Sequence, residues 1–182
     1  MSTRLDRALA GRGKESRKGL IIYMTAGMPD MTGTIEAVRR AEEAGANVIE
    51  LGLPFSDPMA DGPVIQQASV AALRGGMTLV KAKELVREIR RFSEIPLVGM
   101  GYVNNYGFDA FVEDFKAAGM DGVILPDVPH EEAGEMRETC VAHEFPLMEF
   151  ITPGTTPARM QETCASAAGF IYCVSNNGVT GV

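Results

Sequence analysis

The chain has 182 residues, 46% hydrophobic and 23% charged, with a formal net charge of −7. That composition suits one ordinary globular domain and excludes a disordered or low-complexity chain. The acidic balance argues against nucleic acid as a main partner, because phosphate backbones are held by basic surface. A small anionic ligand stays open, since amides or one local cation can hold it inside an acidic protein.

No segment approaches the ~18 uninterrupted apolar residues of a membrane span, and the N-terminal MSTRLDRALAGRGKESRKG has no apolar signal core. A cytoplasmic chain without membrane association is expected. Cys140, Cys164 and Cys173 are odd in number and widely spaced, which suits a reducing compartment. The histidines are His130 and His143, and neither Cys-x-x-Cys nor His-Glu-x-x-His occurs, so no metal site is expected.

In chain order, the patterns predict a helix over 2–10, a strand over 20–25, a helix over 34–44 and a strand over 47–51. Helices over 64–74 and 79–92 follow, then strand 97–101, helix 110–118, strand 122–125, helix 131–143, strand 147–151, helix 157–167 and strand 170–174. Ser2 and Thr78 read as helix caps, and Gly45 and Gly119 as stops. Near-continuous apolar strands separated by helices mean βαβ units and an α/β fold with a parallel sheet.

The strand-to-strand step of roughly 25 residues fits either a (β/α) barrel or a doubly wound open sheet. Thr25-Ala26-Gly27-Met28-Pro29 is not a dinucleotide fingerprint, and Gly13-Lys14-Glu15 is not a phosphate loop. Six strands fall short of the eight that close a barrel. The expectation is one domain over 1–182, an incomplete (β/α)8 TIM barrel with about six of eight βα units, which would leave two strand edges and part of the lumen open.

The run GANVIELGLPF carries a carboxylate, and a charge in an apolar strand is costly unless paired or neutralised. Strand alternation puts Ala46, Val48 and Glu50 on one face and Ile49 and Leu51 on the other. In a barrel the first set faces the lumen, and Glu50 sits near the C-terminal strand end, where barrel enzymes place their chemistry. Tyr23, with Ile21 and Thr25, and Tyr172, with Phe170 and Val174, would face inward too. Desolvation there would raise the Glu50 pKa and suit it to proton transfer. On the residues alone, Glu50 could equally be a structural acid paired with arginine or a strand-edge acid facing water. Asp57-Pro58 and Asp61-Gly62-Pro63 read as turn chemistry.

The longer segment NVIELGLPFSDPMADGPVIQ, from Asn47 to Gln66, closely resembles the signature of the tryptophan synthase α subunit family. Pro126-Asp127-Val128-Pro129 and Gly178-Val179-Thr180-Gly181 resemble it as well, in family order, from about Leu20 to Val182. The resemblance implies a (β/α)8 barrel, a lyase of tryptophan and aromatic amino acid biosynthesis that splits indole-3-glycerol phosphate into indole and glyceraldehyde 3-phosphate by a retro-aldol reaction. It implies Glu50 as the acid-base residue and Asp61 as the ionised acid that holds the indole N–H. Tyr23, Met100, Tyr102 and Tyr172 would line the indole slot, with Asp127 beside Asp61. Thr180 and Gly181 would open a mobile loop that closes on Asp61 and the phosphate. Tyrosines in such positions are as often plain core residues.

The resemblance further implies no cofactor in this chain and a pyridoxal-phosphate β subunit as partner in an α2β2 heterotetramer, with Pro54 and Asp57 in the contact. Two departures bear on this. Asn176 stands where the family commonly has arginine, which concerns loop closure. The loops after the seventh and eighth strands, which bind phosphate in such barrels, are not among these residues, so the 182-residue chain by itself is expected to be inactive. A stand-alone indole-glycerol-phosphate lyase, a non-catalytic α-like allosteric partner of a β subunit, and another phosphosugar barrel remain open at this stage.

Overall fold

The computed structural model describes residues 3–10, 18–58, 60–102 and 107–175. Its elements follow in the order α1 (Arg4–Leu9), β1 (Ile21–Thr25), α2 (Met31–Glu43), β2 (Val48–Gly52), α3 (Pro63–Arg74), α4 (Leu79–Arg90), β3 (Leu97–Met100), α5 (Phe108–Ala118), β4 (Gly122–Ile124), α6 (Gly134–Ala142), β5 (Leu147–Ile151), α7 (Pro157–Ser166) and β6 (Ile171–Cys173).

All neighbouring strands pair in parallel, and their order across the sheet is β1-β2-β3-β4-β5-β6. That order chooses between the two folds the spacing allowed. A doubly wound sheet reverses direction at a switch point and carries helices on both faces. Here the order never reverses, and right-handed crossovers then lay successive helices on one face. The packing agrees. Ile49, Leu51, Leu97, Val123 and Leu147 meet Val38 of α2, Leu85 and Ile89 of α4, and Val112 and Phe115 of α5 in one cluster. On the other face Val48, Val98, Ile124 and Met148 form a second cluster with Leu5 of α1. The sheet is therefore six strands of a (β/α)8 barrel, with α1 packed against the lumen side.

Local chemistry sets the boundaries, and several lie off the sequence expectation. Thr3, rather than Ser2, caps α1: its hydroxyl accepts the Asp6 N–H while Asp6 accepts the Thr3 N–H. Ser2 lies outside the described residues. Helix α2 begins at Met31, three residues before the expected Thr34, because Asp30 caps it by accepting the Gly33 N–H at 2.7 Å. Gly33, a poor helix former, had hidden that first turn. Helix α6 starts at Gly134 instead of residue 131, since Pro129–Ala133 is spent on turns whose amides bond Pro129 and His130 carbonyls. Ala46 packs with the helix-side cluster rather than with Glu50; it precedes β2, where strand alternation has not begun.

A buried clamp ties the N-terminal ends of the strands. From the last turn of α4, Arg90 donates to the Gly119 carbonyl at 2.7 Å, the Ile95 carbonyl at 2.7 Å and Asp121 at 2.6 Å. Asp121 also accepts the Leu97 N–H at 2.9 Å and Arg4 at 3.2 Å. A paired and fully bonded buried charge is tolerable where an isolated one is not, and this one joins α4, β3, β4 and α1.

Candidate functional site

Glu50 lies two residues before Gly52, where β2 ends, and pairs in register with Tyr23 of β1 and Val98 of β3. Val48, two residues earlier, belongs to the lumen cluster, so alternation points Glu50 inward. Its exposure is 6%, and among the described residues it forms no ion pair. Its burial removes the solvent-facing alternative, and no arginine partner for it is seen among the described residues. Burial raises its pKa above the ordinary glutamate range.

Two phenols report where that carboxyl lies. Burial pushes the Tyr172 hydroxyl up, and the Glu50 charge adds to it. Burial likewise raises Tyr23, countered by a bond from Thr25 at 3.4 Å, with smaller contributions from the charges of both Asp61 and Glu50. Tyr23 thus stands within electrostatic reach of both acids. The ring has room because residue 52 is glycine: a Cβ there would lie 2.1 Å from the Tyr23 hydroxyl oxygen.

Asp61 reaches the site from the loop between β2 and α3. Gly62 and Pro63 end that loop by starting the helix, with proline at the first helical position, where its missing N–H costs nothing. Three contacts hold the acid. Gln66 donates its side-chain amide to the Asp61 carbonyl at 2.9 Å. The Tyr102 hydroxyl accepts the Ala60 N–H at 3.1 Å and donates to the Asp61 carboxylate. Tyr102 in turn stacks on Phe55, with ring centroids 5.4 Å apart.

The family resemblance implies Asp61 as the ionised acid of the pair. Asp61 is buried at 9% exposure, and burial raises its pKa as it does that of Glu50. What separates them is the Tyr102 hydrogen bond, which favours the ionised form of Asp61. Tyr102 is raised strongly by its own burial and then by the Asp61 charge, with Asp127 adding to it.

A cavity of about 510 Å³ opens beside these groups, lined by Asp61, Met100, Asp127, Phe150, Tyr172 and Val174 among others. Its lining mixes apolar and aromatic side chains with polar ones, His130, Glu149 and Arg159 included, while Glu50, Tyr23 and Tyr102 do not line it. It can hold a flat ring, accept a ring N–H and pass protons. Pro54 is half-buried and Asp57 exposed in the loop after β2, where Ser56 donates to Asp57 at 2.8 Å. Thr180 and Gly181, together with Asn176, lie outside the described residues. Among the described residues no group of three His, Cys, Asp or Glu could hold a metal ion, and no helix is long and apolar enough to cross a membrane.

Three features were missed in the sequence. Phe150 stacks obliquely on Tyr172 at 5.2 Å and lines the slot; period-two alternation from Met148 would have found it. Gln66, one turn into α3, anchors the Asp61 loop. Glu149, in the apolar run LMEFI, carries the same signal as Glu50, a carboxylate inside a strand; it is 5% exposed and bonded to His130 and Arg137.

The profile of the family Tryptophan synthase alpha chain matches residues 9–182. The tryptophan synthase alpha chain of Clostridium kluyveri is 43% identical over 171 residues, covering 92% of this chain and 65% of that protein. That of Caldanaerobacter subterraneus subsp. tengcongensis is 44% identical over 181 residues, covering 98% and 69%. The crystal structure of tryptophan synthase subunit alpha from Legionella pneumophila str. Paris superposes with a TM-score of 0.91 at 37% identity, over 96% of this chain and 68% of that one. Mycobacterium tuberculosis tryptophan synthase gives a TM-score of 0.90 at 35% identity, over 100% and 71%. This chain spans 65% of the length of the Clostridium kluyveri relative. With six parallel strands in barrel order, a buried glutamate in the lumen and sequence identity above 40% along nearly the whole chain, the protein belongs to the tryptophan synthase alpha chain family.

Proposed function

We infer that these residues form the indole end of a site that cleaves indole-3-glycerol phosphate to indole and glyceraldehyde 3-phosphate. The observation that carries the reading is the burial of Glu50 on the lumen side of β2, with Tyr23 within reach of its charge and that of Asp61. In this reading Glu50, whose pKa burial raises, acts first as the acid and gives a proton to ring carbon C3. The Asp61 carboxylate accepts the indole N–H and stabilises the positive charge that develops on the ring. Glu50, now ionised, takes the proton of the side-chain hydroxyl on the carbon bonded to C3. The C–C bond breaks, its electron pair restores the aromatic ring, and the alkoxide carbon becomes the aldehyde. Proton count and charge balance, and the acid is regenerated.

Tyr23, Met100, Tyr102 and Tyr172 wall the ring, and Asp127 supports Asp61. Thr180 and Gly181 take part in closure. No cofactor is needed for these steps. The partner is a β subunit that carries pyridoxal phosphate, in an α2β2 assembly working in the cytoplasm, with Pro54 and Asp57 at the contact.

The test is indole release from indole-3-glycerol phosphate by the chain, alone and mixed with a β subunit, alongside indole binding by calorimetry. Glu50→Gln is expected to keep indole binding and to lose ~100-fold or more of any cleavage rate, as removal of a general acid-base group does. A wild-type chain that neither binds indole nor releases it would refute the reading, and so would a Glu50→Gln rate equal to a measurable wild-type release.

A further inference from the structure

Glu149 is a second buried carboxylate that the proposed chemistry does not use. It stands on β5 at 5% exposure, on the face opposite the lumen residues Met148 and Phe150. Its Oε1 accepts Nε–H of Arg137 on α6 at 2.9 Å and the Ser166 hydroxyl at 3.4 Å. Its Oε2 lies 3.0 Å from Nδ1 of His130. A carboxylate only accepts, so Nδ1 carries the proton in this arrangement. The 3.2 Å approach of Arg137 Nη2 to the same nitrogen is then a contact rather than a bond. That Nη2 has a better acceptor, the His130 backbone carbonyl at 3.1 Å.

The pair therefore grips one loop residue twice, by its ring through Glu149 and by its carbonyl through Arg137. Asp127 is three residues upstream. Pro126 and Pro129 fix φ on either side of it, and Val128 N–H bonds back to the Leu125 carbonyl at 3.3 Å. Such a segment has few soft torsions, so displacement at His130 is passed to Asp127. Asp127, His130 and Glu149 all border the cavity that Asp61 and Tyr172 line, and the Asp127 charge reaches Tyr102, the phenol that bonds Asp61.

We propose that Glu149 and Arg137 are positioning residues for the indole slot: by clamping His130 they hold the 126–130 segment, and with it Asp127, against Tyr102 and Asp61. The functional half of this rests on the indole reading above; the mechanical half does not. A pair that merely stabilised the fold would bind whichever groups lay nearest, whereas both arms here end on the same residue of a cavity-forming loop.

The experiment compares wild type, Glu149→Leu, Glu149→Gln and Arg137→Lys by hydrogen exchange, by the Tyr102 side-chain resonance in 13C-tyrosine protein, and by calorimetry with indole as the probe. In Glu149→Leu, exchange over 126–133 should rise ~tenfold while α2 and α4 stay within about twofold, since local opening is separable from global unfolding. The Tyr102 resonance should shift while that of Tyr23 does not, and indole affinity should fall about fivefold. Glu149→Gln should restore the loop, because its amide oxygen still accepts from Arg137 and its amide N–H can meet the other His130 tautomer. Unchanged loop exchange in Glu149→Leu, or acceleration spread evenly over the chain, would overturn the clamp. Should Glu149→Leu fail to fold, Arg137→Lys decides: a compact ammonium lacks the guanidinium fork whose Nε and Nη2 span the two acceptors, so unchanged loop exchange there overturns it equally. A wild type that does not bind indole sinks the indole reading alone, because the exchange and tyrosine data judge the clamp without it.

Discussion

Gly52 offers a direct test of how tightly the lumen is built around Tyr23. Its place in β2 needs no unusual backbone; the constraint is space. A Cβ added there would meet the Tyr23 hydroxyl oxygen, Cζ and Cε2 at 2.1, 2.5 and 2.8 Å, all closer than real Cβ contacts allow. β2 is buried along its whole length and paired to β1 through Thr25, two residues from Tyr23, so neither backbone retreats freely. Overpacking of this kind costs about 1–3 kcal/mol, and three short contacts with a stiff ring argue for the upper half. For a chain of this size that is roughly 4–12 °C in Tm. Urea unfolding of Gly52→Ala, of Tyr23→Ala and of the double variant gives the coupling directly. With the ring removed, the added methyl should cost no more than about 0.5 kcal/mol, so the cycle should show at least ~1 kcal/mol of coupling. Equal cost of Gly52→Ala in both backgrounds would refute the reasoning, because the clash would then lie elsewhere.

Three further outcomes are expected. Glu50 is raised by burial, so between the ordinary glutamate range and its raised value the folded state holds more protons than the unfolded, and wild-type stability should fall as pH rises through that window. Glu50→Gln should be free of that loss and gain on wild type toward neutral pH; parallel stability curves from pH 4 to 8 would contradict the assignment. Arg90→Met strands the 7%-exposed Asp121 and three carbonyl acceptors, at about 3–5 kcal/mol in a urea melt, whereas Arg4→Met, on a pair whose other acid Glu94 is 74% exposed, should cost clearly less. Tyr102→Phe removes the donor that favours ionised Asp61, so the Asp61 carboxyl should titrate higher by 13C NMR; an unchanged or lower value would remove Tyr102 from its control.

Much of the lumen side was legible because strand alternation is a local rule. Once β2 is known as a strand, Val48 and Glu50 must share a face, and the same holds for Tyr23 and Tyr172 on their strands. Glu149 went unread for lack of a partner in view: its arginine is twelve residues away on α6, its histidine nineteen away in a loop. Asp61 looked like turn chemistry from its neighbours Gly62 and Pro63, and it is at a helix start. That burial raises Asp61 as well as Glu50 was not legible, because burial is a property of everything packed around a group, and both acids are covered. The early start of α2 was missed since Asp30 acts through a single side-chain bond that outweighs the poor propensity of Gly33.

By itself the sequence determined the alternation of strands and helices, the inward face of each strand, and, through the long motif around Glu50, the family. These follow from short-range periodicity and from residues adjacent along the chain. Only the tertiary structure decided between barrel and open sheet, because strand order is set by which strands pair rather than by any one strand. It alone decided which acids are desolvated and which are bonded, since Tyr102, 41 positions from Asp61, supplies the hydrogen bond that separates Asp61 from Glu50.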